Sequence, residues 1–210
     1  MGISWPIPFL RLLGCSLLLL ALAACGTTDR RLARGGDYIG RAGDGGAGAP
    51  RQKGAPPWDN VSYWDGDGVA GAARVKINLN EQRAYFYKDD NLVGVSVVSS
   101  GREGYGTPPG KFKIVQKDIN HASNLYGDYV DAAGNVVKKD VDVRKDPKPP
   151  GAIFRGAPMP YFVRIHGGVG LHAGFLPGYP ASHGCIRAPE HMAATFFENV
   201  QVGTPVEVIN

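Results

Sequence analysis

Val169-Gly170-Leu171-His172 and, further on, Ser182-His183-Gly184-Cys185-Ile186-Arg187 decide how this chain is read. The first segment alternates like a short strand and ends on an imidazole. The second sets a thiol beside a glycine, in a turn tight enough to expose the sulfur. A cysteine that reacts needs a base, an open approach and backbone donors. This stretch offers all three.

Working outward, strand patterns dominate. Arg74 to Leu79 alternates with period two, Asn80-Glu81-Gln82 turns, and Arg83 to Lys88 follows. Lys88 to Asn91 turns again into Leu92 to Val98. Lys111 to Val115 is a further strand, entered from the loop Gly104 to Gly110. Tyr129 to Val137 predicts a hairpin with a Gly-Asn turn, and Asp146 to Pro150 a proline-rich loop. Tyr161 to Ile165 and Val169 to His172 predict short strands, and Thr204 to Ile209 a closing one. The one helix expected runs from Pro189 to about Asn199, with Met192, Ala193, Phe196 and Phe197 on one face. Many short strands with a single helix predict a mainly β domain.

The N-terminus has a different character. Arg11 precedes the apolar run Leu17 to Ala24, which has the length of a signal peptide rather than of a membrane span. Leu22-Ala23-Ala24-Cys25 is similar to a bacterial lipobox, in which the cysteine becomes the lipidated first residue. Several acyl chains on one residue would anchor the protein stably. The absence of Asp at Gly26 points to the outer membrane, by similarity to Gram-negative lipoproteins. The expected location is thus the cell envelope, on its periplasmic face, with a membrane attachment through Cys25. Residues 25–57 are rich in Gly, Ala, Pro and Arg and cannot bury enough surface to offset ordering entropy. They are expected to form a flexible tether with a span on the order of 30 Å. The expected organisation is a signal peptide over 1–24, the tether over 25–57, a lead-in over 58–72 and one folded domain over 73–210.

Of three cysteines, Cys15 leaves with the signal and Cys25 is lipidated, so Cys185 stands alone in a compartment where disulfides are normal. The net charge of +4 is concentrated in the tether, as Arg30, Arg31, Arg34, Arg41, Arg51 and Lys53. No stacking aromatics accompany these residues, so no nucleic acid is expected as partner.

A free thiol has a pKa of about 8.5 and needs an imidazole to take its proton. His183 is too close along the chain to swing under the sulfur, and more plausibly shapes the pocket. His191 falls on the helix as a solvated or capping side chain, and His121 lies in a polar loop. His166 and His172 remain, with His172 ahead because small residues follow it, whereas His166 runs into Gly167-Gly168. The backbone N–H groups of Gly184 and Cys185 could meet an oxyanion. Arg187 could hold a substrate carboxylate or brace the loop. A zinc site from Cys185, His183, His172 and His166 has poor chelate spacing, so no metal or organic cofactor is expected. A serine nucleophile at Ser182 is disfavoured beside a better one. The chemistry that fits is acyl transfer through a cysteine.

Pro180-Ala181-Ser182-His183-Gly184-Cys185-Ile186-Arg187 resembles the signature of the L,D-transpeptidase catalytic domain, the YkuD or ErfK family. Val75 to Phe86 is similar to its opening hairpin. Thr107-Pro108-Pro109-Gly110-Lys111-Phe112 is similar to its Thr-Pro-x-Gly-x-Phe loop. Three such segments in the right order make chance unlikely. The resemblance implies a β-sandwich domain with one short helix after the catalytic loop. It implies an acyl-enzyme formed on tetrapeptide stems of peptidoglycan, with loss of terminal D-alanine. An amine then takes the acyl group, forming a 3→3 cross-link when it belongs to another stem. By position, Cys185 is the nucleophile and His172 the proton donor and acceptor, steadied by the Ala173 carbonyl. Gly184 and His183 complete the catalytic loop, and Ser182, Arg187 and Tyr179 bind substrate. Carbapenem-type inhibitors are expected to acylate Cys185. The interval from His172 to Ser182 is shorter than usual in the family, which keeps His166 as the alternative base. Residues 119–160 look enlarged, as a lid or a decorated loop. The competing readings are a hydrolase that gives the same acyl-enzyme to water, a non-catalytic wall-binding lipoprotein, and a thiol redox protein, the last lacking a resolving cysteine.

Overall fold

The computed structural model describes Pro56 and residues 58–210. The expected signal peptide, Cys15, Cys25 and nearly all of the expected tether lie outside the described residues. In chain order the strands are β1 (Tyr63–Trp64), β2 (Ala73–Asn78), β3 (Arg83–Lys88), β4 (Asn91–Val97), β5 (Gly110–Lys113), β6 (Gln116–Asp118), β7 (Ala122–Val130), β8 (Val136–Asp142), β9 (Ile153–Pro158), β10 (Phe162–His166), β11 (Val169–Ala173), β12 (Ile186–Ala188) and β13 (Pro205–Ile209). The helix α1 (Glu190–Asn199) lies between β12 and β13.

Three sheets result. The first has the order β1-β4-β3-β2-β13-β5, and β13 runs parallel to β2. Its period-two pattern turns Val75, Ile77, Ala84, Phe86, Val206 and Val208 inward. The second sheet has the order β12-β11-β10-β6 and supplies Val163, Ile165, Leu171 and Ile186 to the same core. The helix closes this core with Met192, Ala193 and Phe196, all buried as the apolar face predicts. Phe196 stacks on Phe86 at 5.5 Å, and Trp64 meets Phe86 edge-on at 4.9 Å. Burying each such ring stabilises by about 1.5–3 kcal/mol. Two sheets sharing one core form the mainly β domain expected, and Pro189 directly precedes the one helix among the described residues.

The enlarged segment is a sheet of its own, β8-β7-β9, with a small separate cluster of Tyr129, Val141 and Ala152. Its expected hairpin turn is present. The Asp131 carboxylate accepts from the N–H groups of Ala133 and Asn135, both at 2.9 Å, and Gly134 takes φ +85°. β7 begins seven residues earlier than Tyr129, where the sequence showed no alternation. The strands β1, β6, β9 and β12 were also unforeseen, being short or carrying Gly and charged residues that mask a period.

Candidate active site

The second sheet places the reactive side chains. β11 and β12 pair in parallel, with Leu171 opposite Ile186, His172 opposite Arg187 and Ala173 opposite Ala188. Leu171 and Ile186 point into the core. Alternation then puts Cys185, His172 and Arg187 on the other face, Cys185 diagonal to His172. The Cys185 thiol donates to the Gly168 carbonyl oxygen at 3.6 Å, and the Gly170 N–H favours its thiolate form. Gly170 has no room for a side chain, since a Cβ there would meet the Phe162 ring and the Val163 carbonyl.

His172 is buried, and its Nδ1–H donates to the Ala173 carbonyl at 2.7 Å. Since a carbonyl only accepts, the proton sits on Nδ1 and Nε2 is left as the basic nitrogen. Burial pushes its pKa down to about 4, against the opposing pull of the Ala173 carbonyl, and Arg187 depresses it further. Burial pushes the Cys185 thiol up, and the Gly170 N–H and Arg187 partly offset this. With the acid raised and the base lowered, the resting pair is a neutral thiol and a neutral imidazole. His166 is exposed, its ring 5.0 Å from that of Phe112 on the first sheet. His172 thus lies buried on the strand that pairs directly with β12, whereas His166 lies exposed at the end of β10, one strand further away.

The loop before Cys185 is braced from within. The Ser182 hydroxyl donates to the Cys185 carbonyl and accepts from the Gly184 N–H at 3.0 Å. Gly184 has φ +112°, a conformation side chains disfavour, and its carbonyl accepts from the Thr107 hydroxyl at 2.8 Å. Two expectations change here. Ser182 is buried and braces the loop instead of lining an open pocket. The Gly184 N–H, expected to meet an oxyanion, is occupied by Ser182, which leaves the Cys185 N–H of the expected pair.

His183 is held by three side chains from outside the loop. Arg102 reaches its Nε2 at 2.7 Å, and Tyr126 of β7 stacks on its ring at 4.2 Å. Tyr105 meets the same ring edge-on at 4.8 Å. Burial, then Arg102 and Arg187, lower its pKa. Because guanidinium only donates, Nε2 accepts and the ring is neutral.

Arg187 packs with its stem and reaches a cleft. Its stem packs over Gly174, where a Cβ would lie 3.0 Å from Arg187 Cγ and Cδ. Its head, with no ion-pair partner among the described residues, lines a cleft of about 650 Å³. Tyr126, Asp128, Asp140, Arg155 and His183 form other parts of that cleft. Tyr179 has an exposed side chain, while its carbonyl accepts from the Ser99 hydroxyl at 2.7 Å. His191 neither caps nor is solvated: it is half-buried, with Nδ1 enclosed and unpartnered. His121 is nearer the site than the sequence suggested. It stacks on Phe162 at 4.1 Å, and Phe162 in turn lies 6.3 Å from His172. Arg102, Tyr105 and Tyr126 were missed because nothing local marks them. Among the described residues no group of three or more His, Cys, Asp or Glu side chains could hold a metal ion.

The family model of the L,D-transpeptidase catalytic domain matches residues 72–208. An L,D-transpeptidase from Mycobacterium smegmatis is 20% identical with a TM-score of 0.50, covering 66% of this chain and 59% of that one. One from Stackebrandtia nassauensis is 22% identical with a TM-score of 0.48, covering 69% of this chain and 60% of that one. L,D-transpeptidase 3 from Mycobacterium tuberculosis, in complex with a faropenem-derived adduct, is 21% identical with a TM-score of 0.49, covering 66% and 60%. This chain thus spans about three fifths of the length of these relatives. No curated protein sequence matches. On the family match over most of its folded part, the chain belongs to the L,D-transpeptidase catalytic domain (YkuD) family.

Proposed function

We propose that the protein is a peptidoglycan L,D-transpeptidase acting through an acyl-enzyme on Cys185. The observation that carries this reading is the β11–β12 pairing, which sets His172 opposite Arg187, a guanidinium with no ion-pair partner among the described residues, two positions after the Cys185 thiol. A tetrapeptide stem enters the cleft and Arg187 holds a carboxylate of it. His172 Nε2 takes the thiol proton as the sulfur attacks the carbonyl of the third stem residue. The Cys185 N–H stabilises the oxyanion. The C–N bond breaks, and terminal D-alanine leaves with the proton from the imidazolium. An acceptor amine then attacks the thioester and gives its proton to His172, the C–S bond breaks, and His172 passes the proton to the departing sulfur to restore the thiol.

The N-terminal segment fits an exported, lipid-anchored enzyme at the periplasmic face, with Cys25 as the acylated residue. Carbapenem-type compounds fit the same nucleophile, and a faropenem-derived adduct is present in one structural relative.

Purified disaccharide-tetrapeptide incubated with the protein, beside a Cys185→Ala control, tests the reading by mass spectrometry. A cysteine-dependent dimer that has lost one D-alanine supports it. Cysteine-dependent tripeptide with no dimer replaces it with the hydrolase. No turnover of any stem sinks both.

A further inference from the structure

The hairpin turn between β2 and β3 lies remote in sequence from Cys185, yet it reaches the catalytic loop through a single intervening segment. Gln82 sits in that turn with φ +50°, a conformation uncommon for a residue with a side chain. Its side chain is fully used. Nε2 donates to the Leu79 carbonyl at 2.6 Å and to the Ser100 hydroxyl at 2.7 Å. Oε1 accepts from the Ser100 N–H at 2.9 Å. The orientation of the amide is dictated by its partners, since a carbonyl only accepts and a backbone N–H only donates. The Gln82 carbonyl also accepts from the Val98 N–H at 2.9 Å.

Ser100 passes the constraint on. It is buried, and its carbonyl accepts from the N–H groups of both Ala181 and Ser182 at 3.0 Å. Ser99, one residue earlier, exchanges two hydrogen bonds of 2.9 Å with Arg187. The Arg102 N–H donates to the Ser182 carbonyl at 3.0 Å. The segment 99–102 therefore grips the catalytic loop at Ser182 and again at Arg187, on either side of Cys185. A second brace, Thr107, takes the Gly101 N–H at 3.0 Å and reaches the Gly184 carbonyl at 2.8 Å. No side chain could replace Gly101, where a Cβ would overlap the Tyr105 carbonyl oxygen.

We propose that Gln82 is a positioning residue for Cys185, acting through Ser100 to hold the arch from Ser182 to Arg187 in reacting geometry. Gln82 touches neither the sulfur nor the cleft, and an uncommon backbone conformation held by four hydrogen bonds is the kind of local strain that persists where geometry matters. Loosening the arch displaces the sulfur from the Gly170 N–H and from the attack path. Small misplacements of this kind cost roughly 10- to 100-fold in rate. The inference rests on the transpeptidase reading for its rate consequence and on geometry alone for the thiol.

The test uses the full chain and the variants Gln82→Met, which keeps length and loses the amide, and Gln82→Glu, which sets a carboxylate against the Leu79 carbonyl. Ser100→Ala, which removes one hydroxyl, serves if both fail to fold. Two quantities are read: the pH profile of iodoacetamide alkylation, followed on the Cys185 peptide by mass spectrometry, and kcat against KM on tetrapeptide. In folded variants the expected result is an alkylation profile moved to higher pH and kcat reduced about tenfold or more, with KM within about twofold. A wild-type profile together with wild-type kcat in any folded variant of the three overturns the inference. A shifted profile in a chain whose wild-type form turns over no stem leaves the positioning role standing and removes the proposed function instead.

Discussion

Tyr126 lies flat on His183, with ring centroids 4.2 Å apart and planes 22° from parallel. Through this pair the three-stranded sheet rests on the catalytic loop. The Tyr126 hydroxyl accepts from Arg144 at 2.7 Å, and Arg144 pairs with Asp142 at 2.7 Å. The stack is thus pinned from both sides, by Arg144 on the sheet and by Arg102 on the loop.

Removing the stack should open the cleft while sparing the main core. Tyr126→Ala is expected to raise KM for tetrapeptide several-fold, at a stability cost of about 1 kcal/mol. Tyr126→Phe keeps the stack and should stay near wild type. Steady-state kinetics on the pair checks this, and an unchanged KM in Tyr126→Ala would show that the sheet does not shape the substrate site.

Gly184→Ala isolates backbone strain. An added Cβ meets nothing closer than the Tyr105 carbonyl oxygen at 3.6 Å, so space is available, but φ is +112°. The cost is about 1–3 kcal/mol, spent by the loop in relaxing away from this conformation. A folded protein with carbapenem acylation reduced at least tenfold is expected, read by intact mass. Full acylation at the wild-type rate would mean the loop tolerates another geometry.

The free thiol should be sluggish at neutral pH. Burial raises Cys185 and lowers His172, so little thiolate–imidazolium pair forms before substrate arrives. Iodoacetamide alkylation of Cys185 is expected to be still climbing at about pH 9. A plateau reached below pH 7 would reveal a preformed ion pair and contradict the neutral resting state.

Acid should destabilise the fold through His172. Its folded pKa of about 4 lies below the ordinary 6.5. As pH falls from 6.5 towards 4, the unfolded chain takes up a proton that the folded one refuses, so stability present above pH 6.5 is lost through that window. The loss from this group is at most about 3 kcal/mol. Urea unfolding at pH 7.5 and pH 4.5 should show it, and His172→Gln should flatten the difference. An equally steep dependence in that variant would place the acid sensitivity elsewhere.

Much of the fold was legible because its signals are local. Val75, Ile77, Ala84 and Phe86 fall on the inward side of the period-two pattern the sequence shows, and the apolar face of α1 is buried. Pro189 and Asp131 act within a few residues of themselves. Elements without a local period were not legible. β12 is three residues long and exists because it pairs with β11. β9 includes Gly156, whose close approach to the Ser123 carbonyl only the partner strand explains.

The site divides in the same way. Residue types and their order by themselves determined that a thiol follows a serine, a histidine and a glycine, and that two histidines compete as its base. The choice between His172 and His166 came from strand order and burial, because which strand lies beside the thiol and which side chain is covered depend on how the chain closes. The roles of Ser182 and Gly184 also required the tertiary structure, since a hydroxyl and an amide that satisfy each other are not left to meet substrate. Gln82, Arg102 and Tyr126 act at the loop across long sequence separations. Side-chain chemistry is written residue by residue, whereas hydrogen-bond partners and burial are properties of the closed chain alone.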